Sequence, residues 1–594
     1  MPIYKAPIED FQFLSHEVFD ITNTLSNVDD SIEISADLLD AILVECGKFS
    51  EEVLFPLNQT GDELGCKFAN GEVFTPPGFK DAYKKFSDGG WCGLSSEKEF
   101  GGQGLPEVIQ YMTDEMISSA NMSFGLYPGL TQGTILCISK HGSEEQKKKY
   151  LSNLISGKWQ GTMCLTESHA GSDLGLLRTQ ASPNDDGTFS ISGTKIFISA
   201  GEHDMVENIV HLVLARLPDA PKGTSGISMF IVPKFKINVD GSLGKRNSVS
   251  AGSIEHKMGA KASSTCVMNF DNATGWLIGI ENKGLSNMFT MMNKERLFVG
   301  TQGIAQAEIS FQNARDYANE RLQGRSPDGG KSPDKPADAI INHPDIKNKL
   351  LFSKSIIQAS RALSIWTHLH VDLAKYDKNP NNRTVAEDIE GIMTPVIKAS
   401  CTDFATEITN ECLQIFGGHG YVSEWGMEQF VRDVRITQIY EGTNSIQALD
   451  LVTRKLKIHN GRLFNNFINK IETSLFKINK NHELDFLYKP FKKSLSRLIE
   501  ITEWIKKNEN SYPHSLSTIS NDYLKLFSLV CFAWMWLLIS EKCISNSNKE
   551  EKFYKSKLKT ANFFMHQILP LSQFLENKIR TNNIILEDIS VNDI

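Results

Sequence analysis

The sequence predicts an α+β fold: a helical N-terminal domain, a middle β-domain, a C-terminal helical domain and an additional helical domain after it. Three observations carry the prediction. Apolar residues recur at helical spacing up to about residue 160, alternate or form short runs between 161 and 282, and return to helical spacing from 283 onward. At 594 residues the chain exceeds one hydrophobic core, since single cores stop growing at about 250–300 residues. The expected domains are residues 1–160, 161–282, 283–458 and 459–594.

In the first, Ala36, Leu39, Ile42, Leu43 and Cys46 fall on one helical face, and Val108 through Ile117 repeat the pattern. Between them, Glu99–Pro106 clusters its glycines as a tight turn does; a phosphate loop would need a preceding strand and a Lys-Ser/Thr ending. In the second, Phe189 and Ile191 alternate with polar residues after an Asp186-Gly187 hairpin signal. Apolar runs at Ile209–Leu217 and Ile227–Val232 come next, then a loop at Lys257–Ser264 and a strand at Val267–Phe270. In the third, helices run from about Leu285 to 455, interrupted by the turn-forming loop Ser326–Pro336. The fourth has helical spacing at Phe464–Phe476, Phe486–Ile505, Tyr523–Ile544 and Ala561–Ile579.

Composition excludes several classes. Lys and Arg number 62 against 71 Asp and Glu, a net charge of −9, so nucleic acid is not the expected partner. Ten cysteines lie without CxxC pairs, as buried reduced thiols do in a reducing compartment, and the N-terminus has no secretory pattern, so a cytoplasmic location is expected. The apolar stretch Leu526–Ile539 is shorter than the ~20 residues of a membrane crossing and is expected to be a buried helix. No GxGxxG after a strand, Walker loop, HExxH or GxSxG occurs. His368 and His370, two apart on a helix, diverge, so no metal site is expected.

Two polar segments invite chemistry. In Gln438–Asn444, Glu441 directly precedes Gly442-Thr443-Asn444 after an apolar stretch. A carboxylate there can be held half sheltered at a helix start, with Gly442 permitting a sharp bend and Thr443 or Asn444 capping the helix. Shelter strengthens a carboxylate as a base. Standing alone, the plainer reading is a surface glutamate before a helix cap. Cys164–Asp173 packs Thr, Glu, Ser, Gly and Asp at the junction of the helical and β regions, where backbone amides can hydrogen-bond a flat heteroaromatic ring and its phosphates. An interdomain loop is the equal alternative.

Together, Cys164–Asp173 and Gln438–Asn444 are similar to the two signature segments of the acyl-CoA dehydrogenase flavoenzymes, in that order and at about that separation. Lys195–Ser199, Tyr317–Gly324 and Gln414–Tyr421 also resemble family segments, so the likeness spans roughly residues 40 to 455. The resemblance implies an acyl-CoA dehydrogenase-like fold with a C-terminal four-helix bundle, FAD as cofactor and a homodimer. It implies that Leu165 and Thr166 meet the flavin ring, Ser172 the pyrophosphate, Phe197 the ring face and Ser199 the flavin N5 region. Arg321 and Gln323 would contact the ADP portion, as would Gln414 and Gly418 of the second subunit, and Thr443 would touch the cofactor.

For the reaction, the resemblance implies that Glu441 removes the thioester α-proton while the β-hydride leaves for the flavin. The enolate-like oxygen would be met by donors that include the Glu441 backbone N–H. One departure stands out: Glu295 falls where some relatives carry their base instead, with a small residue at the usual position, and this chain has carboxylates at both places. Glu441 is the expected base and Glu295 the runner-up; Arg296 and Tyr440 are expected at the substrate. Residues near Tyr127–Thr131 and Met288–Met292 are expected either at the acyl pocket or in plain core packing. The long tail, Lys195–Asp204 and Asn208–Leu217 look most like a long bacterial subgroup that includes dehydrogenases of 3-(methylthio)propanoyl-CoA, used in dimethylsulfoniopropionate breakdown. Enzymes for short or medium fatty acyl-CoAs belong to it too, and an acyl-CoA oxidase would use nearly the same residues. Electron-transferring flavoprotein is the implied acceptor.

Overall fold

Helical periodicity at the N-terminus becomes α1 (Ile8–Gln12), α2 (Ile21–Ser26) and α3 (Ala36–Phe49), the last burying Leu39, Leu43 and Cys46. The computed structural model describes residues 2–29, 32–478, 482–508, 515–545, 551–581 and 589–594. They form two units, residues 48–298 and residues 1–47 with 299–594.

After two short helical turns over 50–57, the first unit has α4 (Asn58–Leu64), a hairpin of β1 (Lys67–Ala69) and β2 (Glu72–Phe74), and α5 (Phe79–Asp88). That hairpin interrupts a region expected to be helical. Its turn, Asn70-Gly71, has φ of 53° and 79°, the left-handed pair a two-residue hairpin requires; its strands are too short for alternation to show. Then come α6 (Glu107–Ala120), α7 (Met122–His141) and α8 (Glu144–Ile155). Asn121 caps α7 by accepting from Phe124 N, and Ser143 with Gln146 forms a capping box on α8.

The strands are β3 (Trp159–Cys164), β4 (Gln180–Pro183), β5 (Phe189–Ser199), β6 (Asn208–Ala215), β7 (Ser228–Pro233), β8 (Phe235–Ile237), β9 (Leu243–Arg246), β10 (Val249–Ile254) and β11 (Thr265–Leu277). The main sheet runs β3-β6-β7-β11-β5-β4, with β10 also on β11. β3, unforeseen as a strand, pairs in parallel with β6 and is covered on both faces, so it shows no alternation. Ile191, Val213, Phe230, Val232 and Phe270 build the core here.

α9 (Gly284–Glu320) opens the C-terminal helical region, which continues through α10 (Pro344–Tyr376), α11 (Pro380–Ile415), α12 (Met427–Arg435) and α13 (Asn444–Asp450). The additional domain comprises α14 (Ile458–Ile478), α15 (Asp485–Asn508), α16 (Ser515–Ser545), α17 (Glu551–Phe563) and α18 (Leu571–Thr581). The run Leu526–Ile539 is a buried helix, as expected, inside the longer α16, which by length and composition is apolar enough to cross a membrane. Burial accounts for its composition: Trp534 meets Trp366 edge-on at 4.8 Å, and Phe527 stacks on Phe467 at 5.1 Å.

Candidate active site

Glu441 stands in a turn between two helices. A short 3-10 turn, Ile436–Gln438, comes after α12, and α13 begins at Asn444 under a cap from Thr443, whose hydroxyl accepts from Ile446 N at 3.4 Å. Glu441 and Gly442 between them have φ of 57° and 86°. For a residue with a Cβ the left-handed region costs about 1–2 kcal/mol, so the surroundings must enforce it. They do so from α11: Gln438 Nε2 and Asn444 Nδ2 both donate to Asp403 Oδ1, at 2.6 and 2.7 Å, pinning both ends of the turn. Buried Lys398 donates to Asn444 Oδ1 at 2.7 Å. From α13, Gln447 Nε2 reaches the carbonyls of Glu441 and Gly442 at 3.2 and 3.3 Å. Glu441 itself is half-buried.

Next to it, Tyr440 donates its hydroxyl to Gln302 Oε1. Gln302 is wholly buried on α9, and its Nε2 has no acceptor among the described residues. Neither Gln302 nor Gln447 was among the residues expected at the site; both lie outside the quoted motifs, and only their contacts identify them.

At the far end of these helices Tyr317 of α9 stacks on Phe416 at 4.1 Å and bonds His419 Nδ1 at 2.9 Å. That pairing brings Arg321 and Gln323, just past α9, to the same end as Gln414 and Gly418. All four are exposed, and a Cβ built on Gly418 would meet nothing within 4 Å.

In the other unit, the Thr166 carbonyl accepts from Ile196 N at 2.9 Å, which sets Leu165 and Thr166 beside Phe197. Opposite β11 the register of β5 slips between Lys195 and Ile198, a bulge in which Phe197 takes φ of 58°. The bulge turns the ring outward, leaving it 60% exposed, while Ser199 is half-buried and Ser172 exposed. Beneath the bulge Lys195, wholly buried, donates to the Leu165 carbonyl at 2.9 Å and pairs with Glu167 at 2.8 Å. Burial pushes the Glu167 carboxyl up, but Lys195, Thr179 and the Arg178 amide together hold it down to about 2. The pair stiffens the strand that carries Phe197, a role the sequence did not suggest for either residue.

A groove of about 770 Å³ adjoins this segment, lined by His169, Arg178, Arg216 and Lys222 among others. Arg216 is consumed by the carbonyls of Leu177, Gly175, Pro221 and Gly223, so it shapes the groove, whereas Arg178 and Lys222 are exposed. On the first turns of α9, Glu295 is 4% exposed and lies where a Cβ on Gly133 would come within 2.5 Å of its Oε1. Arg296 is also buried, 3.5 Å from Asn293 Oδ1. Tyr127 is a core anchor, donating to the Ala262 carbonyl at 3.1 Å and accepting from Ser264 N at 2.9 Å; Met288 and Met291 are wholly buried.

A glutamate forced into a left-handed turn, an outward aromatic on a β-bulge and a helical region on either side of the sheet in sequence define a class. The chain belongs to the acyl-CoA dehydrogenase family, FAD-dependent oxidoreductases: the family's N-terminal domain matches residues 45–158, its middle domain 162–273 and its C-terminal domain 282–456. An acetyl-CoA dehydrogenase C-terminal-like domain matches residues 466–588. Within the family it is 45% identical to 3-methylmercaptopropionyl-CoA dehydrogenase of Ruegeria pomeroyi, covering 80% of each chain. It is 35% identical to a butyryl-CoA dehydrogenase of Syntrophomonas wolfei over 96% of this chain and 95% of that one. In fold it matches an acyl-CoA dehydrogenase from Bacillus anthracis solved with FAD, at a TM-score of 0.74 and 22% identity, over 94% of this chain and 90% of that one.

The residues present suit the cofactor. An aromatic ring turned to solvent by a bulge, as Phe197 is, offers an apolar face to a planar ring system. Gly418, with open space where a side chain would be, leaves its backbone approachable.

Proposed function

We propose that this enzyme oxidises 3-(methylthio)propanoyl-CoA to 3-(methylthio)acryloyl-CoA, a step of dimethylsulfoniopropionate breakdown, with Glu441 as the base. The observation that carries the reaction is the placement of Glu441: half-buried, held left-handed by contacts on both sides and succeeded at once by a capped helix. A thioester α-proton is too weakly acidic for a carboxylate in water, so the base must be sheltered and its aim fixed. Glu441 takes the α-proton, and its backbone N–H is the donor to the thioester oxygen as negative charge develops there. FAD, when bound, supplies the hydride acceptor at the β-carbon. Leu165, Thr166, Ser172, Phe197, Ser199 and Thr443 would hold it, with Arg321 and Gln323 at its ADP end and Gln414 and Gly418 contributed by a second copy of the chain. Arg178 and Lys222 give the groove beside Cys164–Asp173 a charge suited to the phosphates of CoA.

The methylthio chain is favoured by the 45%-identical relative and by Gln302, whose amide N–H has no acceptor among the described residues and suits an acyl chain carrying a heteroatom better than a plain one. Glu295, buried against Gly133, has a packing role, and Arg296 supports the substrate end of α9. The enzyme works in the cytoplasm as a homodimer and passes its electrons to an electron-transferring flavoprotein.

Two measurements test this. Mixing substrate with FAD-loaded Glu441→Gln and Glu295→Gln variants should bleach the flavin only in the second; bleaching in Glu441→Gln removes the assignment of the base. Comparing kcat/KM for 3-(methylthio)propanoyl-CoA with butanoyl-, hexanoyl- and octanoyl-CoA should favour the first. Preference for butanoyl-CoA, the activity named for the Syntrophomonas relative, would replace the substrate and leave the reaction standing.

A further inference from the structure

The turn that presents Glu441 has its ends pinned to Asp403, and a separate donor meets the carbonyls inside it. The carbonyls of Glu441 and Gly442 both face one donor, Gln447 Nε2, at 3.2 and 3.3 Å. Gln447 is wholly buried, and its Oε1 has no partner among the described residues. An apolar side chain of the same length would fill this space without leaving a buried oxygen unpaired, so what the amide adds is the donor. The peptide plane after Glu441 sets its ψ, and with a φ of 57° it decides where the Cα–Cβ bond points and where the amide N–H lies. In the proposed reaction, both of those groups act on the substrate.

We propose that Gln447 is a positioning residue that locks the left-handed turn at Glu441–Gly442 and so aims the base and its backbone donor at the thioester. The proposal rests on Glu441 being the base. Without the amide donor the turn keeps its anchors at Gln438 and Asn444 while the peptide between them rotates, a change felt in the transition state more than in binding.

The test uses the FAD-loaded full-length enzyme carrying Gln447→Leu or Gln447→Met. Both fill the space with an apolar side chain, the second at nearly the same length, and neither donates a hydrogen bond. Expected in both are a kcat lower by about 10–100-fold, acyl-CoA Kd within about threefold of wild type, unchanged flavin content and melting temperature, and a larger kinetic isotope effect with 2,2-dideuterated substrate as proton removal becomes rate-limiting. If Gln447→Leu does not fold, the Met variant decides. Wild-type kcat and isotope effect in the variants, with Glu441→Gln inactive, would overturn the proposal alone. Full activity in Glu441→Gln would overturn the assignment of the base on which it rests. A fall in kcat matched by loss of flavin or melting temperature, with no change in isotope effect, would make Gln447 a packing residue and also overturn it.

Discussion

Gln302 places near Tyr440 a buried hydrogen-bond donor without an acceptor among the described residues, a situation that costs about 1–3 kcal/mol until something accepts the bond. Gln302→Leu keeps the volume and removes the donor. Pentanoyl-CoA differs from 3-(methylthio)propanoyl-CoA by a methylene in place of sulfur. We expect the ratio of kcat/KM for the thioether over pentanoyl-CoA to fall about 3–10-fold in Gln302→Leu, since one weak polar contact separates the substrates; steady-state kinetics on both measures it. Asp114 shows a second effect at this scale. Burial pushes its carboxyl up to about 7, despite amide donors from Gln110 at 2.9 Å and Gln132 at 3.4 Å and the charge of Lys294. Its folded pKa lies above the unfolded value of 3.8, so folding binds a proton between those pH values, and stability is lost as pH rises from about 4 to 7. Asp114→Asn should therefore gain stability relative to wild type across that window and hold a gain of about 1–2 kcal/mol above it, read as melting temperature against pH.

Between elements, close approach does the positioning. α7 carries glycine at 129 and 133 where α9 brings Phe298 and Glu295 against it; a Cβ on Gly129 would stand 2.4 Å from Phe298 Cε1. Gly129→Ala is expected to destabilise by about 1–3 kcal/mol through overpacking, although alanine is the better helix former, and Phe298→Leu in the same chain should restore part of the loss. Chemical denaturation of the two single variants and the double variant measures the coupling. On β5 the bulge plays a comparable part: one extra residue against β11 turns Phe197 outward, and the buried Lys195–Glu167 pair holds the neighbouring chain in place.

At the scale of the molecule, a buried charge cluster ties the chain's start to its last helices. Arg361 of α10 donates to Asp10 of α1 at 2.6 Å and to Glu308 of α9 at 2.7 Å, and Lys557 of α17 also pairs with Asp10. Burial raises the Asp10 carboxyl, but Lys557 and Arg361 outweigh it and hold the pKa below the ordinary value. Its stabilisation is thus present above the unfolded carboxylate pKa and is lost as pH falls through the folded one. Asp10→Ala leaves both cations short of a buried partner and should cost about 3–5 kcal/mol. The measurements are denaturant unfolding and hydrogen exchange, with the earliest loss of protection expected over residues 551–581.

The sequence by itself determined the α+β class, the helical tail and the family, because these depend on local periodicity and on contiguous motifs such as Gln438–Asn444 and Cys164–Asp173. It also carried, unread, the Asn70-Gly71 hairpin, whose turn chemistry was plain while its strands were too short to alternate. Only the tertiary structure decided that Glu441 is left-handed, that Asp403 receives both ends of its turn, and that Gln302 meets Tyr440 and Gln447 the Glu441 carbonyl. The physical reason is that backbone strain and buried hydrogen bonds depend on partners distant in the chain: Asp403 lies 35 residues from Gln438, and Gln302 lies 138 from Tyr440. A single sequence records which groups are available; packing sets which of them meet.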